Sequence, residues 1–184
     1  LEKESPRATG EIVSTPFLPT YENHLKQLII NGVDPEVQKP LLGLHVVVDA
    51  GNGAGGFYAD MLQDLGAWIE GSQFLEPDGH FPNHIPNPEN KEAMASICQA
   101  VKAAHADLGV IFDTDVDRGA AVDHRGQEIN RNRLVALASA IALEGHPGGT
   151  VVTDSITSDG LKEYIETTLG GKHHRFKRGY KNVI

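Results

Sequence analysis

Three aspartates stand at alternate positions in LGVIFDTDVDRGAAVD, residues 108–123, with an arginine directly after the last. In an extended chain alternate side chains share a face, so the spacing predicts that Asp113, Asp115 and Asp117 crowd together. Crowded carboxylates either raise one another's pKa or gather a cation. A solvated acidic loop is the other outcome, and position weighs against it. The run follows DLGVIF, which predicts a strand, and ligands collect at the carboxyl ends of strands in open α/β sheets.

Other stretches invite chemistry and carry less. GNGAGG matches G-x-G-x-x-G through Gly51, Gly53 and Gly56, with Glu70 further on. A dinucleotide site would use such glycines to bring backbone close to a pyrophosphate. Asp49 would then set a carboxylate beside the phosphates, so a tight strand-to-helix turn is the preferred reading. VIFDTDVD also fits the strand end of haloacid-dehalogenase-type phosphatases, but 112 residues precede Asp113 and no further acidic pair follows on a strand end. An EF-hand is excluded because Arg118 and His124 fall where its glycine and closing acid belong. The nine histidines form no convincing zinc cluster: His80 and His84 lie in a proline loop, His173 and His174 are adjacent on a strand, and the single cysteine, Cys98, falls inside a helix. Most are expected at the surface, as is the KHHRFKR strand, although Lys177, Arg178 and Lys181 could face an anion.

The elements that must position these residues follow from periodicity. YENHLKQLIINGV (21–33) predicts a helix, LLGLHVVVDA a buried strand, FYADMLQDLGA a helix and WIEGSQF a second strand. PDGHFPNHIPNPEN (77–90) holds four prolines and must be irregular. KEAMASICQAVKAAHA then predicts an amphipathic helix. AAVDHRGQEI reads as strand, turn and strand start, and RLVALASAIALEG as a helix. GTVVTD, SDGLKEYIETTLGG with Ser158 as cap, and KHHRFKRGY restart the alternation as strand, helix and strand. The expected class is α/β: a three-layer mixed sheet with helices on both faces, plus the start of a second, similar α/β domain.

Of the 184 residues 40% are hydrophobic, enough for one domain and part of another. A net charge of −9 gives no footprint for nucleic acid. No apolar run approaches the roughly 18 residues a membrane span needs, so no membrane partner is expected. One cysteine fits a reducing compartment, and the expectation is a soluble, intracellular protein, of cytoplasm or plastid. LEKESPRATGE is polar and lacks an initiator methionine, so a processed or excised piece is expected, with residues 1–20 as a linker.

In order, VVVDAGNGAGG, PDGHFPNHIPNPE, ADLGVIFDTDVDR, TVVTDSITSDGL and KRGYK resemble the α-D-phosphohexomutase superfamily over roughly residues 40–184. The resemblance implies a four-domain enzyme that interconverts hexose 1-phosphate and hexose 6-phosphate through a phosphoserine and a bisphosphate intermediate. It implies Mg²⁺ held by Asp113, Asp115 and Asp117, Arg118 against the phosphoserine phosphate, and Lys181 near the hexose phosphate substrate. It divides the chain into a linker (1–20), a second domain (21–128) and part of a third (129–184), whose partners are the remaining domains of the same chain. The family's catalytic serine motif has no counterpart here, so this chain alone is expected to be inactive. The other departure is in the metal loop, where Thr114 and Val116 occupy positions the family usually gives to glycine. Residues of this shape resist positive φ, which predicts either an extended loop or altered activity. Glycine at 114 and 116 is expected to lower stability through conformational entropy. A haloacid-dehalogenase-like phosphatase and a non-catalytic dinucleotide- or sugar-binding module are the alternatives.

Overall fold

The computed structural model describes residues 10, 11 and 13–183. Half of the expected linker, residues 1–9 and 12, lies outside them, and its last three residues open a helix. The first helix, α1, begins at Leu18 and runs to Val33, with Pro19 in its first turn, where a missing N–H costs nothing.

Strand β1 (Val46–Asp49) is parallel to β2 (Leu108–Phe112), and β2 is antiparallel to β3 (Gly119–Asp123). Val46, Val47 and Val48 are all buried, as expected of a strand covered on both faces. The covering helices are α2 (Phe57–Asp64), entered through a 3₁₀ turn at Ala54–Gly56, and α3 (Lys91–Ala104). Helix α3 is strongly specified. The Asn90 side chain caps it by accepting from the N–H groups of Glu92 and Ala93, and His105 ends it at φ +53°. Its Ala93, Ile97 and Val101 fall four residues apart and join Val47, Ile111, Ala120 and Val122 in one core cluster.

The opposite face belongs to α2. Phe112, next to Ile111 and so turned the other way, sets its ring 4.6 Å from that of Tyr58. Phe57 lies 4.5 Å from Tyr58, and Tyr21 of α1 lies 6.0 Å from Phe57, so a row of rings runs from α1 to the end of β2. Helices on both faces of a mixed sheet are the expected architecture.

The strand expected at 68–74 is interrupted. Trp68 and Gln73 each form a parallel bridge, to His45 and Asp49, but the residues between loop out. Gly71 takes φ +86° in a turn closed by Ser72 N–H on the Ile69 carbonyl, and the Ser72 hydroxyl accepts from Val48 N–H in place of a backbone partner. The strand start expected near Glu128 is likewise a single bridge to Val122.

After helix α4 (Arg131–Gly145), β4 (Thr150–Thr153) pairs in parallel with β5 (Lys172–Arg175). Between them lies α5 (Asp159–Glu163), which loosens into a π-helical turn over Tyr164–Thr168. Ser158 caps α5 by accepting from Leu161 N–H at 3.1 Å. A second, smaller core gathers Leu143, Leu161 and Ile165. The short helix α6 (Tyr180–Val183) follows. Among the described residues no helix is long and apolar enough to cross a membrane.

Candidate functional site: an aspartate loop at the end of β2

Because β1 and β2 are parallel, with Asp49 opposite Ile111, the segments that leave their carboxyl ends lie side by side. The turn after β1 touches the loop after β2 directly: Ala54 N–H donates to the Thr114 carbonyl at 2.9 Å. Gly53 makes this approach possible, since a Cβ there would sit 2.8 Å from the same oxygen. At Gly56 a Cβ would meet the Leu75 carbonyl oxygen at 1.9 Å. Gly53 and Gly56 therefore make room for the protein's own backbone. The tight-turn reading is the one the structure bears out, with Gly51 at φ +54° and Asn52 at φ +62°.

Residues 113–118 connect β2 to antiparallel β3. The junction is closed by Asp113 N–H on the Arg118 carbonyl (3.1 Å) and Arg118 N–H on Asp113 Oδ1 (3.0 Å). The loop is a turn rather than the extended run expected from the spacing, because Val116 takes φ +66°. The turn still brings Asp113, Asp115 and Asp117 together, with one carboxylate oxygen from each within 4.8 Å of the others. Of the two family-glycine positions, only 116 demands a left-handed backbone, which a β-branched residue adopts at a cost of order 1–3 kcal/mol. Glycine at 116 would remove that strain, which opposes the entropic cost expected of it.

Asp113 is buried, while Asp115 and Asp117 are exposed. Arg118 Nε donates to Asp113 Oδ2 at 2.8 Å and lies 3.4 Å from Asp117 Oδ1. Burial pushes the Asp113 carboxyl up. The Arg118 backbone N–H, a hydrogen bond with the Asp117 carboxyl and the guanidinium together outweigh it and hold Asp113 below the usual carboxylate range. Asp117 is raised, first by its hydrogen bond with Asp113 and then by the charges of Asp113 and Asp115. The Asp113 hydrogen bond holds the Arg118 guanidinium above its ordinary value. Three acceptor oxygens under mutual repulsion suit a hard cation. Oxygens sharing one Mg²⁺ lie at most about 4.2 Å apart, close to the spacing seen, so the donor set fits.

Three contacts made by the proline loop are not signalled by motif spacing. Asn87, in the proline loop, places Oδ1 3.5 Å from Arg118 Nη1, and Glu89 pairs with Arg131 at 2.8 Å. His84, expected with the other histidines at the surface, is buried against Asp49. A carboxylate at the end of the buried run VVVD needs a partner, and that was the available signal. Lys181 is exposed on α6, and among the described residues no hydrogen bond or ion pair joins it to the aspartates.

Residues 19–126 match the family described as phosphoglucomutase/phosphomannomutase, alpha/beta/alpha domain II. The chain belongs to this family. It is 36% identical over 163 residues to the phosphohexose mutases protein of Xanthomonas campestris pv. campestris (strain B100), covering 89% of this chain and 36% of that one. The chain thus spans about a third of the length of the curated relatives it matches. A solved phosphoglucomutase/phosphomannomutase family protein from Burkholderia thailandensis superposes with a TM-score of 0.75 at 30% identity, over 86% of this chain and 33% of the other. At 18% identity and a TM-score of 0.55, the fold extends to Aspergillus fumigatus N-acetylphosphoglucosamine mutase, solved with GlcNAc-6P and magnesium and matched over 88% of this chain and 34% of that one.

Proposed function

We propose that this chain is the metal-loop portion of a phosphohexomutase that interconverts hexose 1-phosphate and hexose 6-phosphate. The observation that carries the reading is the aspartate triad at the end of β2 with Arg118 hydrogen-bonded to its buried member, in a chain of this family. Asp113, Asp115 and Asp117 are the residues to hold Mg²⁺, a metal also found in the structure of the Aspergillus fumigatus relative. An ion bound there would neutralise charge on a phosphoryl group in transfer.

The chain's own residues orient the phosphoryl group. Asp113 is fixed by two hydrogen bonds from Arg118, and in return it holds the guanidinium by its Nε edge. Among the described residues Arg118 Nη2 has no hydrogen-bond partner, and the side chain is 55% exposed, so this edge of the fork can meet phosphate oxygens. Lys181 is assigned a supporting contact with substrate. The donor in this reading is a phosphoserine from the first domain that the family resemblance implies. We assign residues 1–20 to the linker from that domain, 21–128 to the second domain and 129–184 to part of the third.

The test is an assay of glucose 1-phosphate, mannose 1-phosphate and glucosamine 1-phosphate with Mg²⁺ and a hexose bisphosphate. The 184-residue chain should show no turnover, and the chain joined to the missing domains should show it. Loss of that turnover in Asp115→Asn supports the reading. Turnover by the 184 residues alone, abolished in the same variant, defeats it.

A further inference from the structure

A buried pair lies behind the aspartate loop and is not part of it. Asp49, the last residue of β1, is fully buried, and His84 of the proline loop nearly so. The imidazole Nε2 is 3.0 and 3.1 Å from the two Asp49 oxygens, and Nδ1 is 3.1 Å from the Ile85 carbonyl oxygen. Both ring nitrogens face oxygens, and a carbonyl can only accept. The ring is thus held between Asp49 on one side and the Ile85 carbonyl on the other, with both polar side chains out of water. Well-packed apolar side chains would fill such a site without the desolvation cost. The pair therefore needs another explanation, and its connections supply one.

One arm runs through Asp49. Its Oδ1 accepts from Gly51 N–H at 2.9 Å and shapes the turn whose Ala54 N–H holds the Thr114 carbonyl of the aspartate loop. Gly51 leaves room for the ring, since a Cβ there would lie 2.9 Å from His84 Cε1. The second arm runs through His84 into the proline loop, which presents Asn87 to Arg118 three residues later. Asn83 and Asn52 tie the arms together, Nδ2 to Oδ1 at 2.7 Å. Gln73 Nε2 braces the pair from outside, donating to Asp49 Oδ2 and to Ser96 of α3, both at 2.7 Å.

We propose that the Asp49–His84 pair positions the aspartate loop, clamping it at Thr114 from one side and at Arg118 from the other. The proposal deepens the metal reading above, while its geometry stands apart from it. His84 and Asp49 are positioning residues, since they act through Asn87, Arg118 and the turn rather than on substrate.

The test uses His84→Ala in the 184-residue chain, with Val101→Ala as a core variant of comparable melting loss. Two quantities are read by NMR: hydrogen exchange of Arg118 Nε–H without metal, and Mn²⁺ affinity from paramagnetic broadening at residues 113–118. His84→Ala should exchange several-fold faster at Arg118 and bind Mn²⁺ about tenfold more weakly, the low end for groups that orient ligands. Val101→Ala should change neither. His84→Gln, which keeps one donor for Asp49, should recover part of both and carries the test if His84→Ala does not fold. Unchanged Arg118 exchange in the histidine variants, or an equal change in Val101→Ala, overturns the proposal. Absence of Mn²⁺ binding in the unsubstituted chain defeats the metal reading alone and leaves Arg118 exchange to decide the clamp.

Discussion

No valine of β1 is more than 1% exposed, whereas Val152 of β4 is 40% exposed, although both strands pair in parallel and sit among helices. The difference lies in what covers the second face. Around β1 one face meets α3 and the other meets α2, so consecutive side chains are both buried. In the β4–β5 pair, Val151 packs with Leu143, Leu161 and Ile165, while Val152 beside it points away from that cluster. Helix α4 likewise leaves Leu137 and Ile141 about 60% exposed. The same strand–helix alternation thus produces a closed core in one region and a half-covered one in the other. Alternation specifies the elements, and stability follows from the number of covered faces.

The largest expected effect separates the two regions. Ile97→Ala opens a cavity among fully buried neighbours and should cost about 2–5 kcal/mol, whereas Leu143→Ala, already at the edge of its cluster, should cost less. Urea melts with hydrogen exchange read by strand should show β4 and β5 opening at lower free energy than β1 and β2. Equal protection of the two pairs would break the comparison.

Next in size is the aspartate loop, which only the first region supports. Asp115→Asn should weaken Mn²⁺ binding by roughly tenfold or more, and broadening that stays centred on residues 113–118 in this variant would refute the assignment. In metal-free buffer the loop also sets a sign with pH. Asp117, raised in the folded chain, takes up its proton first on acidification, which relieves repulsion and adds slightly to stability. Asp113, lowered, contributes stability above its ordinary 3.8 that is lost as pH falls through its folded value. Melting followed from pH 7 downward in Asp117→Asn should lack the first, stabilising part of the curve.

A smaller change sharpens the strain argument. Val116→Gly should stabilise by about 1 kcal/mol, raising the melting temperature by roughly 2–4 °C. An unchanged or lower melting point would show that Val116 packing near Gly55 outweighs its backbone cost. The smallest effect concerns the link between regions. Glu89–Arg131 joins the proline loop to α4 with both side chains 52% exposed. A double-mutant cycle should give below about 1 kcal/mol, less in high salt. A larger coupling would mean that the two regions do not behave as separate units.

Much of this was readable in the sequence wherever one signal sufficed. The amphipathic spacing of Ile97 and Val101 announces α3, and Asp113, Asp115 and Asp117 announce a common site by alternation. The loop's conformation was not readable, because it depends on Val116 accepting a backbone angle that its side chain disfavours. Nor was the break at Gly71, where a side-chain hydroxyl replaces a strand partner. Asp49 and His84 stand 35 residues apart, and only the fold shows that each is the other's reason for being buried.

The row of rings ending at Phe112 gives this loop an optical signature. Phe112 immediately precedes Asp113 and stacks on Tyr58, whose hydroxyl is pushed up to about 12 by burial and by its hydrogen bond with Tyr21. Tyr58 therefore stays un-ionised through mildly alkaline solution, in a chiral setting that ends at the aspartates. Trp68, the single tryptophan, is 69% exposed beside His45, and its emission is poorly placed to follow the core. Cation binding or loop rearrangement should register in the near-ultraviolet circular dichroism of tyrosine while tryptophan fluorescence stays nearly silent.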